Sequence, residues 1–128
     1  MPKKQKIYIF FFGPIASGKG TQAGILGEKL KLPVISPGEL FRREIEAKSP
    51  IGQEVAAIVK SGKLVADDIT EKILSARLKE KDARNGYILD GFPRNRRQLE
   101  FILDKISGIE NEKVLAVHID VDDSEVTK

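Results

Sequence analysis

The stretch GPIASGKGTQ, residues 13–22, follows six apolar residues and places glycines close to one lysine. Gly13 and Gly18 are separated by four residues, and Lys19 comes directly after the second glycine. Glycines let the chain curl tightly, so that several backbone N–H groups can point at one phosphate. The N-terminus of a following helix adds its positive dipole end, and the lysine ammonium can reach the outer phosphates. A glycine turn with a surface lysine is the alternative, but a strand before it and a helix after it favour phosphate binding.

The position after Lys19 departs from the general form of such loops, which carries Ser or Thr there to contact Mg²⁺. This chain has Gly20 at that position, and Thr21 and Gln22 follow. The run GKGTQ resembles the phosphate loop of nucleoside monophosphate kinases, most of all that of adenylate kinases. The resemblance implies that ATP phosphates are bound by Gly13, Ser17, Gly18, Lys19, Gly20 and Thr21.

Further motifs of that family follow in the same order along nearly the whole chain. LPVISPGELFR, residues 32–42, resembles the start of the segment that binds the monophosphate, and GKLV, residues 62–65, resembles the segment that closes over the acceptor base. DGFPR, residues 90–94, is the most specific match after the loop. Gln98 stands where the family places a glutamine on the adenine edge. By resemblance, the Phe92–Pro93 peptide bond is expected to be cis, a form found chiefly before proline.

The roles implied by the resemblance fit phosphoryl transfer, which needs two anions held in line and little covalent help. Lys19 would hold the donor phosphates, while Arg42 and Arg94 would bind phosphate oxygens with their forked donors. Asp90 ends its strand where it can anchor the Mg²⁺ of Mg-ATP through water. These four are the predicted catalytic residues. The predicted monophosphate site consists of Pro37, Arg42, Lys63, Val65, Gly91, Arg94 and Gln98.

Several other polar residues are assigned structural roles. His118 is the one histidine of the sequence and lies in an apolar stretch, which favours a satisfied structural histidine over a base or ligand. Arg97 is expected to be a solvated helix residue. Three closely spaced aspartates, Asp120, Asp122 and Asp123, resemble a cluster of metal ligands. They are interpreted as a strand end and a helix N-terminus, where carboxylates are favourable.

Length and composition indicate one domain with a sizeable core, since 128 residues include 41% hydrophobic ones. Lys and Arg number 22 against 19 Asp and Glu, a net charge of +3 that fits a solvated surface. No basic stripe is interleaved with aromatics, so no nucleic-acid partner is predicted. No stretch approaches membrane-spanning length, so no membrane partner is predicted either. The absence of cysteine fits a cytoplasmic protein, and a monomer is expected.

Apolar runs alternate with segments of helical period. Strands are predicted at residues 7–12, 33–36, 86–90 and 114–121, and helices at 19–30, 38–47, 53–60, 68–81 and 96–106. Asp67 is the predicted N-cap of the fourth helix, and Ile25, Leu26 and Leu30 are predicted to share the buried side of the first. Residues 122–128 look like the first turn of a further helix.

Alternating strands and helices predict βαβ units and a mostly parallel sheet, with ligands beyond the carboxyl ends of the strands. The predicted fold class is α/β, a P-loop NTPase three-layer fold. It forms one domain over residues 1–128, with a helical monophosphate-binding insert at about 36–65. From the resemblance, the strand after the loop is expected to lie centrally, with the GYILD strand, residues 86–90, beside it.

Three positions depart from the family pattern. Ile15 and Ala16 stand in the loop where the family has Pro and Gly, and alanine at a position needing positive φ costs stability or reshapes the loop. Pro37 replaces a threonine that adenylate kinases commonly carry near the acceptor base. Because a missing base-edge hydrogen bond can shift specificity, UMP and CMP stay open as acceptors beside AMP.

The end of the sequence departs further. Family chains continue through an arginine-rich helix, a mobile lid over ATP, a last strand and a last helix. The lid and the C-terminal segment are expected to be absent here, and the chain is expected to be a fragment. The strand at residues 114–121 would then form an exposed sheet edge.

The predicted function is reversible transfer of a phosphoryl group from Mg-ATP to a nucleoside monophosphate, with AMP as the expected acceptor (ATP + AMP = 2 ADP). A UMP/CMP-type kinase is one alternative. A folded but catalytically incomplete nucleotide-binding module is another. A P-loop kinase for a non-nucleotide acceptor is a third, against which Gln98 and residues 62–65 argue.

Overall fold

The computed structural model describes residues 5–13, 18–107 and 112–118. Strands and helices alternate along these residues. Their order is β1 (Lys6–Phe12), α1 (Lys19–Leu30), β2 (Val34–Ile35), α2 (Pro37–Ala47), α3 (Pro50–Lys60), α4 (Asp67–Leu78), β3 (Gly86–Asp90), α5 (Arg96–Ile106) and β4 (Glu112–His118). A 3₁₀ turn, Lys81–Ala83, precedes β3.

The four described strands form one parallel sheet in the order β2-β3-β1-β4. The predicted α/β fold with a parallel sheet is therefore confirmed, and it agrees with the P-loop kinase fold expected from the sequence. The expectation that the strand after the loop lies centrally is wrong, because β2 lies at an edge of the described sheet. Its expected neighbour, β3, does lie beside it. β1 and β3 take the inner positions, since their nearly continuous apolar residues need cover on both faces.

Helices cover both faces of the sheet, because successive side chains of a strand point to opposite faces. Phe10 of β1 packs in a cluster with Leu74 of α4 and Ile102 of α5. The next residue back, Ile9, packs on the other face with Ala23 of α1. The described residues thus form three layers, with the sheet between two sets of helices.

Helix α1 lies on the sheet through small residues, and of its predicted apolar side only Leu26 packs against a core cluster. Ile25 and Leu30 are 44% and 39% exposed, whereas Ala23 and Gly27 are buried. A Cβ added to Gly27 would lie 2.9 Å from the carbonyl oxygen of Leu32. The helix therefore approaches the chain leading into β2 too closely for larger side chains on that face.

Helix α4 begins one residue earlier than the sequence predicts. Asp67 is its first residue rather than its N-cap, which is Ala66. The helix ends at Leu78, and the 3₁₀ turn follows. Ile73 is buried, and Ile69 and Leu78 pack against the same core cluster. The carboxylate of Asp67 is consequently available for a partner outside its own helix.

Helices α2 and α3 each start at a serine followed by proline. The Ser36 hydroxyl accepts a hydrogen bond from the N–H of Glu39 at 3.3 Å, and the Ser49 hydroxyl accepts one from Gly52 at 2.9 Å. Both are helix N-caps with proline in the first turn. The bounds predicted for a monophosphate-binding insert stay a prediction.

Strand β4 borders the described sheet on the side away from β2. Val114 and Leu115 are exposed, and residues 119–121 of the predicted strand lie outside the described residues, as do Asp120, Asp122 and Asp123. His118 lies in β4, as expected from the sequence. None of the helices in the described part of the chain is long and apolar enough to cross a membrane.

Replacing Gly52 by alanine is expected to lower the free energy of unfolding by about 1–3 kcal/mol. The reason is that a Cβ would lie 2.0 Å from the carbonyl oxygen of Glu44, where α2 meets α3. Gly24→Ala is the control, since a Cβ there meets nothing within 4 Å and α1 should gain about 0.5–1 kcal/mol. Urea unfolding followed by circular dichroism measures both variants. A change in the free energy of unfolding with the same sign in both would contradict the packing argument.

Candidate functional site

The glycine-rich loop ends in a left-handed residue at the start of α1. Gly18 is the N-cap, with a φ of 80°, and no described side chain caps the first turn, which also lacks acidic residues. The N–H groups of this turn and the helix dipole are therefore available to an anion. Gly13 follows β1 with a φ of 151°. Ser17, like Ile15 and Ala16, lies outside the described residues.

The first turn of α1 faces the end of β3. The ammonium of Lys19 donates a hydrogen bond to Oδ1 of Asp90, and the two side chains are only 12% and 16% exposed. A Cβ added to Gly20 would lie 3.9 Å from Oδ2 of Asp90, while Thr21 is exposed. Removing a charge from water is costly unless it is paired. The fold thus holds a lysine and a carboxylate together at the carboxyl edge of the sheet.

A cavity of about 580 Å³ opens beside this ion pair. It is bounded by α1, by the first turns of α2, α4 and α5, and by the end of β3. Eight residues that the sequence predicts for the site line it: Lys19, Pro37, Arg42, Val65, Asp90, Gly91, Arg94 and Gln98. Five further predicted residues are described but do not line it: Gly13, Gly18, Gly20, Thr21 and Lys63. Lys19 of the glycine-rich loop and most of the residues predicted for the acceptor therefore line one cavity.

The segment before α4 contributes different residues from those that the sequence singles out. Leu64 lines the cavity although its side chain is 95% exposed, and Val65 lines it half-buried. Lys63 is exposed, and its backbone N–H donates to the carbonyl oxygen of Ile58 at 3.3 Å. A role for Lys63 in binding the monophosphate stays a prediction.

Short-range hydrogen bonds shape the turn between β3 and α5. Arg94 donates from Nε to the carbonyl oxygen of Gly91 at 2.8 Å, and from its backbone N–H to Oε1 of Gln98 at 2.7 Å. Asn95 caps α5 by accepting from the N–H of Gln98 at 2.8 Å. The Phe92–Pro93 bond is cis, as the resemblance implies. The turn therefore fixes where the Arg94 and Gln98 side chains stand.

Two arginines from different elements line the cavity. Arg42 lies in α2, and a Cβ added to Gly38 would stand 3.7 Å from one of its terminal nitrogens. Arg94 lies in the turn before α5. Neither takes part in an ion pair among the described residues, so their guanidinium groups keep donors for an anion.

Neighbouring Arg97 behaves as the structural residue that the sequence predicts. Its Nε donates to Oε1 of Glu71 at 3.1 Å, and its side chain is exposed. The hydrogen bond to Glu71 raises the pKa of Arg97 above its ordinary value. Because Arg97 already has a carboxylate partner and does not line the cavity, it offers a matched comparison for Arg94.

Four polar residues that line the cavity are missed by sequence reasoning: Ser36, Asp67, Thr70 and Asn95. Asp67 lines the cavity, and its Oδ1 accepts a hydrogen bond from Nε2 of Gln98 at 3.0 Å. Thr70 lies one turn further along α4, with its hydroxyl donating to the carbonyl oxygen of Ala66. The sequence assigns Asp67 to helix capping. The available signal is its place directly after the segment that resembles the acceptor-closing one.

The carboxylate of Asp90 fits the donor set that Mg²⁺ uses. Among the described residues, no group of three or more His, Cys, Asp or Glu side chains could hold a metal ion by itself. Mg²⁺ typically takes one or two carboxylates and completes its shell with substrate phosphates and water. A single strand-end carboxylate beside the lysine that begins α1 suits that arrangement.

Comparison with known proteins gives a consistent family. A family model described as adenylate kinase matches residues 11–128. An adenylate kinase of Corynebacterium diphtheriae is 45% identical over 100 residues, which are 78% of this chain and 55% of that protein. An adenylate kinase of Thermosipho africanus is 41% identical over 118 residues, which are 92% of this chain and 55% of that protein.

A third relative, the adenylate kinase of Nocardia farcinica, is 45% identical over 109 residues, or 85% of this chain and 60% of that protein. The chain thus spans between about half and three fifths of the length of the curated relatives it matches. The family model covers nearly the whole sequence, including the loop, the strand-end carboxylate and both arginines of the cavity. The chain belongs to the adenylate kinase family.

Proposed function

We propose that this protein transfers a phosphoryl group between Mg-ATP and a nucleoside monophosphate, with AMP as the acceptor (ATP + AMP = 2 ADP). One observation carries the proposal. A single cavity is lined by the loop lysine, by the strand-end carboxylate Asp90 and by two arginines, Arg42 and Arg94. Phosphoryl transfer needs this combination, because two anions must be brought together and their charge offset.

The donor side of the proposed site rests on Lys19 and the first turn of α1. The uncapped N–H groups and the helix dipole favour phosphate oxygens there. Lys19 donates a hydrogen bond to Asp90, which holds its ammonium in place beside the cavity. Such preorganised charge is more effective than charge that must be moved into place. Gly13, Ser17, Gly18, Gly20 and Thr21 complete the proposed phosphate loop.

Asp90 is the proposed anchor for Mg²⁺, through water. When bound with ATP, the ion neutralises charge on the donor phosphates. The chain's own part is to keep an ionised oxygen at the end of β3, half-buried and beside Lys19. Loss of the Asp90 carboxylate would leave the Lys19 ammonium without its described partner.

The acceptor side rests on the arginines. Arg94 uses one of its five guanidinium donors to hold the carbonyl oxygen of Gly91. The remaining donors and those of Arg42 are proposed to bind the phosphate of the acceptor. Gln98, Val65 and Pro37 line the same cavity and are proposed to contact the nucleoside.

The experiment that tests the function is phosphotransfer by the purified 128-residue chain with Mg-ATP and AMP, UMP or CMP. Turnover with AMP above the pyrimidine nucleotides supports the proposal. Faster turnover with UMP or CMP than with AMP would mean that the acceptor is a pyrimidine nucleotide instead of AMP. Binding of nucleotide without turnover with any acceptor would favour the nucleotide-binding module instead.

Lys19→Ala is expected to lower the rate of phosphotransfer by about 10²–10³-fold, the usual loss when a group that stabilises transition-state charge is removed. Lys29→Ala is the matched control, because Lys29 lies in the last turn of the same helix and is exposed. It should keep the parent rate. A coupled assay of ADP formation measures both. An unchanged rate of phosphotransfer by Lys19→Ala would contradict the proposal that Lys19 binds the donor phosphates.

Arg94→Ala is expected to weaken AMP binding by about 1.5–3 kcal/mol, the contribution of hydrogen bonds to a charged group. Arg97→Ala should leave it unchanged, since Arg97 pairs with Glu71 away from the cavity. Titration calorimetry with AMP and with adenosine makes the comparison. Adenosine carries no phosphate, so its binding should not depend on Arg94. Equal weakening of AMP and adenosine would show that Arg94 does not hold the phosphate.

A further inference from the structure

The side-chain amide of Gln98 is held at both ends by different elements. Its Oε1 accepts the backbone N–H of Arg94 at 2.7 Å, and its Nε2 donates to Oδ1 of Asp67 at 3.0 Å. Asp67 begins α4, whereas Gln98 lies in the first turn of α5. All three residues line the 580 Å³ cavity.

Only one orientation of this amide satisfies both partners. A backbone N–H can only donate, and an ionised carboxylate can only accept. Rotating the amide by half a turn would set its NH₂ group against the N–H of Arg94 and its oxygen against the carboxylate of Asp67. Both contacts would become repulsive, and both hydrogen bonds would be lost. The donor on one side and the acceptor on the other therefore determine which end of the Gln98 amide carries the oxygen.

The fixed amide keeps half of its hydrogen-bonding capacity. An amide has two donors and two lone pairs, and the two described bonds use one of each. One N–H and one lone pair are not used by these two bonds, and they belong to a side chain that lines the cavity. Adenine presents an acceptor, N1, beside an amino group at position 6, which complements that pair. Hypoxanthine presents an N–H and a 6-oxo group, the reverse pattern.

We propose that Asp67 is a positioning residue that locks the amide of Gln98 in one orientation and so makes the acceptor site prefer a 6-amino over a 6-oxo purine monophosphate. This inference rests on the proposed function, because it adds a positioning residue to the proposed acceptor site. Asp67 acts through Gln98 and not on the phosphates.

The location of Asp67 suits this role. It is the first residue of α4, and acidic side chains are favourable in the first turn of a helix. Its side chain is half-buried, and its hydrogen bond joins α4 to α5 across 31 residues of sequence. Without this carboxylate, the bond from the N–H of Arg94 would stay as the described restraint on the amide. The amide could then turn to suit either base at a much smaller cost.

The test compares the dissociation constants of AMP and inosine monophosphate for the 128-residue chain and five variants. Asp67→Ala is expected to lower the ratio of AMP to inosine monophosphate affinity by about tenfold, the effect of one or two hydrogen bonds. Asp67→Asn keeps an accepting oxygen and should restore most of the preference. Asp68→Ala is the control, because Asp68 is the next acidic residue of the same turn, is exposed and does not line the cavity. It should keep the parent ratio.

A double-mutant cycle separates positioning from a general effect on folding. In the Gln98→Ala background, Asp67→Ala should change the ratio no further, since no amide is left to orient. A parallel loss of affinity for both nucleotides in Asp67→Ala, with an unchanged ratio, would overturn the inference while leaving the proposed function standing. Failure of the parent chain to bind either monophosphate would overturn the proposed function, and the inference with it.

Discussion

The parallel pairing of β1 with β3 is the constraint on which the site depends. In this register Phe11 lies opposite Asp90, and the N–H of Gly91 donates to the carbonyl oxygen of Phe11. Both strands therefore end at one edge, so that the loop leaving β1 and the carboxylate ending β3 must meet there. The contact between Lys19 and Asp90 joins residues 71 positions apart in sequence as a direct consequence of this pairing. Buried apolar residues on both strands fix the register, because a slip by one residue would reverse every side chain.

Close backbone approach is the second condition for the site. Gly27 lets α1 lie on the chain entering β2, and Gly52 lets α3 lie against the carbonyl end of α2. These contacts place the first turns of α1 and α2 around the cavity. The phosphate-loop side and the Arg42 side are thus set by positions that carry no chemistry themselves. A larger residue at either glycine would move a helix and with it a group of the site.

Much of this arrangement could be predicted from the sequence. Local signals define the element bounds well: Lys19–Leu30, Gly86–Asp90 and Arg96–Ile106 have the predicted limits. The sequence predictions that were wrong concern features that tertiary packing determines. The buried side of α1 is set by Ala23 and Gly27 rather than by its larger apolar residues, because the depth of contact decides which side chains fit. The edge position of β2 follows from its shortness and from the burial of its neighbours, which no local pattern contains.

The residue types of the polar groups in the site could be predicted from the sequence, but their hydrogen-bond partners could not. A residue such as Asp67 reads as a helix cap in sequence because carboxylates suit helix N-termini. Its partner Gln98 lies on another helix, and only the fold brings the two within 3.0 Å. The same principle unites the described site. Lys19 is bonded to Asp90, Arg94 to the Gly91 carbonyl, and Gln98 to two partners. Each of these side chains lines the cavity and is held by the protein, while part of its hydrogen-bonding capacity is not used by these bonds. Groups that are held but not saturated can bind a ligand without first losing conformational freedom, which is why these partners matter as much as the residues that would touch the nucleotide.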